Sequence, residues 1–347
     1  HREGFGDHPD QIHDTRSFLS SFIRPELDAY IQALSGLKPE IYVAPEIETT
    51  NASGTDELVV PLFYLRRITS GRDKGSPAVL LAEPGQGKTW FARRLVAQIS
   101  ENPPTIPVLV ESTQWADLSS IDLASLARTI MHSFKEKGAP ISWIEGFEQE
   151  FLEAALRAEL FVLVFDGFDE YVMRNDPRHY RETLREVLDL GKRNDAAVLI
   201  TSRSTFWHSV LPLGDETSTE ESLDIAVWRM RPFGQVQARE YFVQALPADK
   251  VAAAVRIWER LAEGNRSLAG RGFVLALVSD LVARTEPSEA FRLDRVITLE
   301  WLLHQFCQRE ISRQGLELAA AEQIDAVQHF AAYCAQGEAP SDELLDL

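Results

Sequence analysis

Three short stretches of this 347-residue chain end in side chains suited to handling phosphate. The first runs Ala78-Val79-Leu80-Leu81-Ala82-Glu83-Pro84-Gly85-Gln86-Gly87-Lys88-Thr89. An apolar run closes in a Pro-Gly-x-Gly turn, and the turn closes in Lys-Thr. A helical pattern begins at once, with Phe91, Leu95, Val96 and Ile99 on one face. Strand, glycine turn, Lys-Thr and helix form the context a phosphate-binding P-loop requires. Glycines let successive backbone N–H groups curl around an anion, and the helix N-terminus adds partial positive charge. Lys88 can reach β- and γ-phosphates, and the Thr89 hydroxyl can hold Mg²⁺. The usual pattern opens on Gly, and here that position is Ala82.

The second stretch is Phe161-Val162-Leu163-Val164-Phe165-Asp166-Gly167-Phe168-Asp169-Glu170. Five apolar residues predict a buried strand with carboxylates at its C-terminal end, the edge where open α/β sheets bind ligands. Asp166 is placed to orient Mg²⁺, while Asp169 and Glu170 lie just beyond and can orient an attacking water. The third stretch, Ala196-Ala197-Val198-Leu199-Ile200-Thr201-Ser202-Arg203, is another apolar strand with a polar tip, this time cationic. The planar guanidinium of Arg203 suits phosphate oxygens, so it is expected to sense a γ-phosphate.

These tips need a scaffold, and the surrounding pattern supplies one. Strands are expected at 78–82, 106–110, 160–165, 197–201 and 224–229. Helices are expected near 88–99, 121–135, 144–159 and 177–190. Short apolar runs alternating with helices predict a parallel sheet covered on both faces. Before it, a helical pattern extends from Asp14 toward Leu34, interrupted at Pro25. Residues 40–47 read as extended, 49–54 as a polar linker, 58–68 as apolar and 70–77 as a loop. From Phe233 onward the pattern is helical, near 233–245, 248–262, 273–283, 293–312 and 319–335. The expected domains are an N-terminal helical and extended region (1–56), a nucleotide-binding domain (57–232), a helical domain (233–316) and a further incomplete piece (317–347).

Composition narrows the function classes. A formal net charge of −18 opposes phosphate and argues against direct nucleic-acid binding. Cys307 and Cys334 form no disulfide framework, which fits a reducing cytoplasm. No apolar run reaches membrane-spanning length and no signal peptide is seen, so no membrane partner is expected. The chain opens on His1 rather than Met, which reads as a piece of a longer protein. His304 with Cys307, and His329 with Cys334, lack the close second pair that zinc needs. Arg178, Arg181 and Arg185 interleave with Glu182 and Glu186 and read as a solvated, salt-bridged face. The acidic patch 215–221 reads as a solvated loop, and Trp90 as core packing.

Taken together, Glu83-Pro84-Gly85-Gln86-Gly87-Lys88-Thr89, the Asp166-Gly167-Phe168-Asp169-Glu170 box and the Thr201-Ser202-Arg203 tip resemble the NACHT clade of STAND P-loop NTPases. These are switch ATPases of innate-immune receptors and bacterial anti-phage proteins. Arg231-Pro232-Phe233, Gln237 and Tyr241-Phe242 resemble that family's entry into its helical domain, and the likeness covers roughly 57–315. The resemblance implies a three-layer P-loop fold followed by a helical domain, and a nucleotide cradle at Glu83, Pro84, Gly85, Gln86, Gly87, Lys88 and Thr89. It also implies Mg²⁺ at Thr89 and Asp166. In the family a small residue follows the metal-binding aspartate, and a later acid polarises water. Gly167 and Asp169 match, with Glu170 in reserve. Phe273 lies where the family commonly has a nucleotide-contacting proline. Residues 323–347 resemble the opening of its winged-helix domain.

The implied activity is slow ATP hydrolysis in the service of switching: ADP holds a closed monomer and ATP an open form that self-associates. Sensor and effector domains are expected to flank this chain. ATP is expected over GTP, because no Asn-Lys-x-Asp signature is present. Two alternatives stand beside this reading: an AAA-type remodelling motor, and a scaffold that holds nucleotide without hydrolysing it.

Overall fold

The computed structural model describes residues 15–50, 56–58, 77–101, 105–115, 123–174, 180–193, 196–210, 225–285, 301–302, 304–305, 307–308, 311 and 319–335. Several sequence expectations fall outside these: the polar start with Asp14, most of 58–76, the patch 215–221, most of 293–312, and residues 336–347. The side chains of Arg178, Arg181, Glu182, His329 and Cys334 also lie outside them. The chain divides into two compact units, His1–Pro232 and Phe233–Leu347.

The first unit is built on a seven-stranded sheet in the order β2-β1-β7-β3-β6-β5-β4. Its strands are β1 (Ile47–Thr50), β2 (Asp56–Leu58), β3 (Ala78–Ala82), β4 (Ile106–Glu111), β5 (Phe161–Asp166), β6 (Ala197–Arg203) and β7 (Ala226–Met230). The five strands β7-β3-β6-β5-β4 are parallel, as the alternating pattern implies. Their residues are apolar on both faces because helices cover both: β3 and β5 are buried at every position. At one edge the sheet is mixed. β1 pairs antiparallel with β7, and β2 pairs antiparallel with β1. Thr49 and Thr50 thus belong to a strand rather than to a linker. Thr49 fixes this edge further, its hydroxyl donating to the Val227 carbonyl at 2.8 Å.

Helices α1 (Thr15–Glu26) and α2 (Asp28–Ser35) precede the sheet, split at Leu27 just after Pro25. Leu27, Tyr30 and Leu34 are fully buried in the main core. The Tyr30 hydroxyl accepts a hydrogen bond from the Leu109 N–H at 3.2 Å, on the outermost strand β4. An edge-strand donor is thereby satisfied without water. Burial raises the pKa of Tyr30. The sheet helices are α3 (Lys88–Ser100), α4 (Ser112–Trp115), α5 (Leu123–Glu136), α6 (Glu148–Arg157), α7 (Phe168–Arg174), α8 (Tyr180–Arg193) and α9 (Ser204–Val210). A 3₁₀ turn at Ser142–Ile144 separates α5 from α6, so the helix expected from 144 begins at Glu148. The short helices α4, α7 and α9 follow strand tips directly and carry too little periodicity to be read from sequence.

The second unit is helical among its described residues: α10 (Gln235–Ala245), α11 (Ala248–Ala269), α12 (Gly272–Arg284) and α13 (Ala320–Ala335). Ala238, Phe242, Ala254, Ile257, Trp258, Val274, Leu275, Val278 and Val282 form its core. The Gln237 side chain accepts from the Gly234 N–H at 3.0 Å and starts α10. Helix α11 runs past 262 but breaks at Asn265, whose φ of −154° and ψ of 95° are not helical. The Asn265 side chain accepts from the Leu268 N–H at 2.9 Å, the bond of an N-cap, so the chain restarts as a helix there. The Trp258 indole donates to the Ala269 carbonyl at 2.9 Å and closes the turn into α12. Phe273 is buried in this core. Among the described residues no helix is long and apolar enough to cross a membrane.

Candidate functional site

Parallel strands bring their C-terminal tips to one edge. Ala82 on β3 is in register with Arg203 on β6, and Phe165 on β5 with Ile200 on β6. On the next pair outward, Asp166 is in register with Glu111. The strand carrying Arg203 therefore lies between the glycine-turn strand and the strand carrying Asp166. Residues 83–87 form a loop after β3 and Gly167 a turn after β5, while β4 and β6 run straight into helices, so all these tips lie along one edge of the sheet.

The turn after β3 has the geometry of an anion cradle. Gly85 and Gly87 take φ of 79° and 102°, the left-handed region that a β-carbon disfavours. The Glu83 N–H donates to the buried Gln86 Oε1 at 2.5 Å, and the Gln86 N–H to the Glu83 carbonyl at 3.2 Å. Pro84 occupies the turn between them. The Phe91 N–H then donates to the Gly87 carbonyl at 2.9 Å and α3 begins. Ala82 has no positive φ, so it serves without the glycine's freedom. The Lys88 ammonium folds back to donate to the Ala82 carbonyl at 3.1 Å. Lys88 is thus half-buried rather than exposed. Burial pushes its pKa down; Asp169 pushes it up, Arg203 lowers it further, and Asp166 and Glu170 raise it.

The turn after β5 holds the carboxylates. Asp166 is 6% exposed. Its Oδ1 accepts from the Thr201 hydroxyl at 2.6 Å, and the Thr201 Oγ1 accepts from the Gly167 N–H at 3.0 Å. Burial raises the Asp166 pKa; hydrogen bonds from Thr201 and Thr89 and the charge of Lys88 oppose that rise, while Glu111 adds to it. Gly167 has a φ of 83°, and a β-carbon there would sit 2.8 Å from the Ser112 Cβ. Both facts restrict the position to glycine. The chain then enters α7, whose first turn carries Asp169 and Glu170.

Asp169 and Arg203 are paired. The Arg203 Nε donates to Asp169 Oδ2 at 2.7 Å, and the Arg203 N–H donates to Asp169 Oδ1 at 3.2 Å. Asp169 is 1% exposed. Burial raises its pKa, against the charges of Lys88 and Arg203. Glu170 Oε1 lies 3.8 Å from Arg203 Nη2, and its Oε2 accepts from the Ser112 hydroxyl at 2.7 Å. Lys88, Thr89, Asp166, Asp169, Glu170 and Arg203 are therefore brought together at one strand edge.

Sequence reasoning missed three contributors and misplaced one residue. Thr201 ties Asp166 to β6; it was legible only as part of a polar strand tip. Ser112 reaches Glu170 from the end of β4. Glu111, at the tip of β4, accepts from Arg93 Nε at 3.1 Å and Nη2 at 2.7 Å on one oxygen. Trp90 is not core: it is 53% exposed, with the Arg93 guanidinium 5.6 Å from its ring centre. Position i+1 from Thr89 turns away from the α3 face that carries Phe91 and Leu95.

The oxygen donors suit a hard cation held jointly with phosphate. Among the described residues no three His, Cys, Asp or Glu side chains form an all-protein metal cage. A phosphate-bound Mg²⁺ needs none, because it takes most ligands from phosphate and water. The Thr89 hydroxyl and the buried Asp166 carboxylate are the protein oxygens here that could hold such an ion.

A sequence model of the NACHT domain matches residues 76–249. No curated protein matches the chain. Solved structures that it resembles include a Walker-type ATPase of Pyrococcus abyssi, at 14% identity and a TM-score of 0.46, covering 80% of each chain. The ORC1 protein of Aeropyrum pernix in complex with DNA aligns at 15% identity and a TM-score of 0.42, over 74% of this chain and 67% of that one. Cdc6p of Pyrobaculum aerophilum aligns at 17% identity and a TM-score of 0.40, over 82% and 83%.

Proposed function

The chain belongs to the NACHT-domain family and so carries a nucleotide-binding P-loop NTPase module; from that premise we propose that it is the ATP-driven switch of a STAND-type signalling protein. In this reading ATP binds with Mg²⁺ and is hydrolysed slowly. ADP holds a closed monomer, and ATP favours an open form that self-associates in immune or anti-phage defence. Flanking sensor and effector domains would supply trigger and output, and a cytoplasmic setting fits this role.

The observation that carries the reading is the Asp169–Arg203 pair beside Lys88. A γ-phosphate at the P-loop mouth offers the Arg203 guanidinium anionic oxygens in place of the Asp169 Oδ2 that its Nε now holds. A ligand that competes for Arg203 acts on β6 and α7 together, and ADP lacks the group that competes. Only such differential contacts shift a two-state equilibrium.

The residues divide the chemistry as follows. The backbone of Glu83, Pro84, Gly85, Gln86 and Gly87 cradles the phosphates, and Lys88 bridges β and γ. Thr89 and Asp166 hold Mg²⁺, which when bound neutralises charge on the phosphates. A carboxylate, Asp169 or Glu170, orients water in line with the γ-phosphorus. The water oxygen bonds to that phosphorus as the bond to the β-phosphate oxygen breaks, and ADP and inorganic phosphate leave.

Arg203→Ala tests the switch. A charge-assisted contact is worth roughly 1.5–3 kcal/mol. The variant should bind Mg-ATP about tenfold or more weakly while ADP affinity stays nearly unchanged. Paired calorimetric titrations measure this. Equal loss for both nucleotides removes the sensor role. Nucleotide released on denaturing the purified protein separates the rivals: ADP supports the switch, an empty site the motor, and intact ATP the scaffold.

A further inference from the structure

We propose that Ser112 is a positioning residue for hydrolysis: its hydroxyl holds Glu170 as the carboxylate that orients the attacking water. The inference rests on the hydrolytic reading above and deepens it.

Two carboxylates compete for the water-orienting role, and their surroundings differ. Asp169 is 1% exposed and directs both oxygens at Arg203, Oδ1 accepting from its backbone N–H and Oδ2 from its Nε. Both Asp169 oxygens already accept from Arg203, and at 1% exposure little of either faces solvent. The Glu170 side chain is 24% exposed, with Oε2 on the Ser112 hydroxyl at 2.7 Å and Oε1 3.8 Å from the nearer Arg203 nitrogen. Glu170 is therefore the more accessible to solvent, while still held on one side by a hydroxyl and drawn on the other by a cation.

Ser112 is not a chance surface partner. It follows Glu111 at the tip of β4, where Glu111 is in register with Asp166. Its β-carbon lies so close to Gly167 that any side chain there would collide with it. The loop that turns Asp169 and Glu170 toward the P-loop is thus built against Ser112. A serine hydroxyl donating to a carboxylate fixes the side-chain rotamer at little desolvation cost, and fixing a general base is worth rate rather than affinity. Asp169 then serves a different purpose, as the anchor that orients Arg203. Sequence gives Asp169 the leading claim because its spacing matches the family pattern, but spacing does not report which carboxylate a cation already engages.

The test is a double-mutant cycle on the whole chain, read by single-turnover hydrolysis of radiolabelled Mg-ATP and by ADP affinity. Ser112→Ala should slow hydrolysis about tenfold, the scale of one hydrogen bond to a charged group. ADP affinity should change less than about twofold. In a Glu170→Gln background, itself slowed by roughly 10² or more, Ser112→Ala should cost nothing further, because the residue it positions has lost its charge. An undiminished loss in that background overturns the proposal, as does a Ser112→Ala rate equal to wild type. A parallel loss of ADP affinity would make Ser112 a structural residue and also overturn it. Absence of hydrolysis in the wild type would sink the hydrolytic reading first and this inference with it. Hydrolysis in the wild type with no effect of Ser112→Ala sinks this inference alone.

Discussion

The two ends of α3 are built on opposite principles. At its N-terminal end stand two left-handed glycines, a desolvated lysine and two buried carboxylates whose pKa values burial has raised. At its C-terminal end the described contacts serve the backbone and the surface. Arg24 Nη2 donates to the Ser100 carbonyl at 2.8 Å and Nη1 to the Thr105 carbonyl at 3.5 Å. The Ser35 and Ser100 hydroxyls share a 2.9 Å bond, and Lys38 pairs with Glu101. A cation on helix-terminal carbonyls is the favourable arrangement. One end accepts electrostatic cost, and the other satisfies backbone carbonyls of buried residues. Residues that trade stability for chemistry cluster at functional sites, whereas residues that satisfy the backbone hold the fold. The same helix thus joins a site to a clamp.

Three substitutions can break that contrast. The largest effect is expected at Lys88. Lys88→Ala should lower nucleotide affinity by about 100-fold or more, since its charge-assisted bonds are each worth roughly 1.5–3 kcal/mol. Its melting temperature should hold or rise, because burial disfavours this ammonium. Calorimetry with Mg-ATP and a thermal melt measure both. A large fall in melting temperature would show that Lys88 supports the fold, and the contrast between the ends would disappear.

The opposite pattern is expected at the clamp. Arg24→Ala should destabilise the protein by about 1–2 kcal/mol, the scale of the carbonyl bonds it makes. Nucleotide affinity should stay within about twofold of wild type. Urea denaturation and the same titration check this. A variant with normal stability but altered affinity would mean that the clamp reports on the site through α3.

What the sequence made legible follows the same division. The strands expected at 78–82, 160–165 and 197–201 could be read because each apolar run ends abruptly in polar residues. The P-loop could be read because its φ demands select glycine at Gly85 and Gly87. The partners of those residues could not. Asp169 and Arg203 are 34 positions apart and Ser112 and Glu170 are 58 apart, and neither spacing has a periodic signature. The β1–β2 edge was hidden for a different reason. Ile47-Glu48-Thr49-Thr50 is short and polar, and its pairing with β7 is set by tertiary contact rather than by propensity. Trp90 was misread because residue type suggests burial while helix phase decides it.

The smallest expected effect is also the most discriminating, because it asks whether the site costs stability at all. Asp166 has its pKa raised in the folded protein, chiefly by burial. A raised carboxylate contributes stability below its unfolded pKa, and that contribution is lost as pH rises through the folded value. At neutral pH the ionised group therefore weighs against folding. Asp166→Asn removes the charge, yet its amide oxygen can still accept from Thr201 and its amide nitrogen can donate to the Thr89 oxygen. The variant should melt higher at pH 7, by about 2–4 °C for each kcal/mol recovered. The advantage should shrink as pH falls toward about 4, where the wild-type carboxyl is protonated. Under the proposed role of Asp166 in holding Mg²⁺, hydrolysis should fall at the same time. A variant that melts lower at pH 7 would mean that Thr201, Thr89 and Lys88 together overcompensate the burial of Asp166. The N-terminal end of α3 would then be stabilising in its own right.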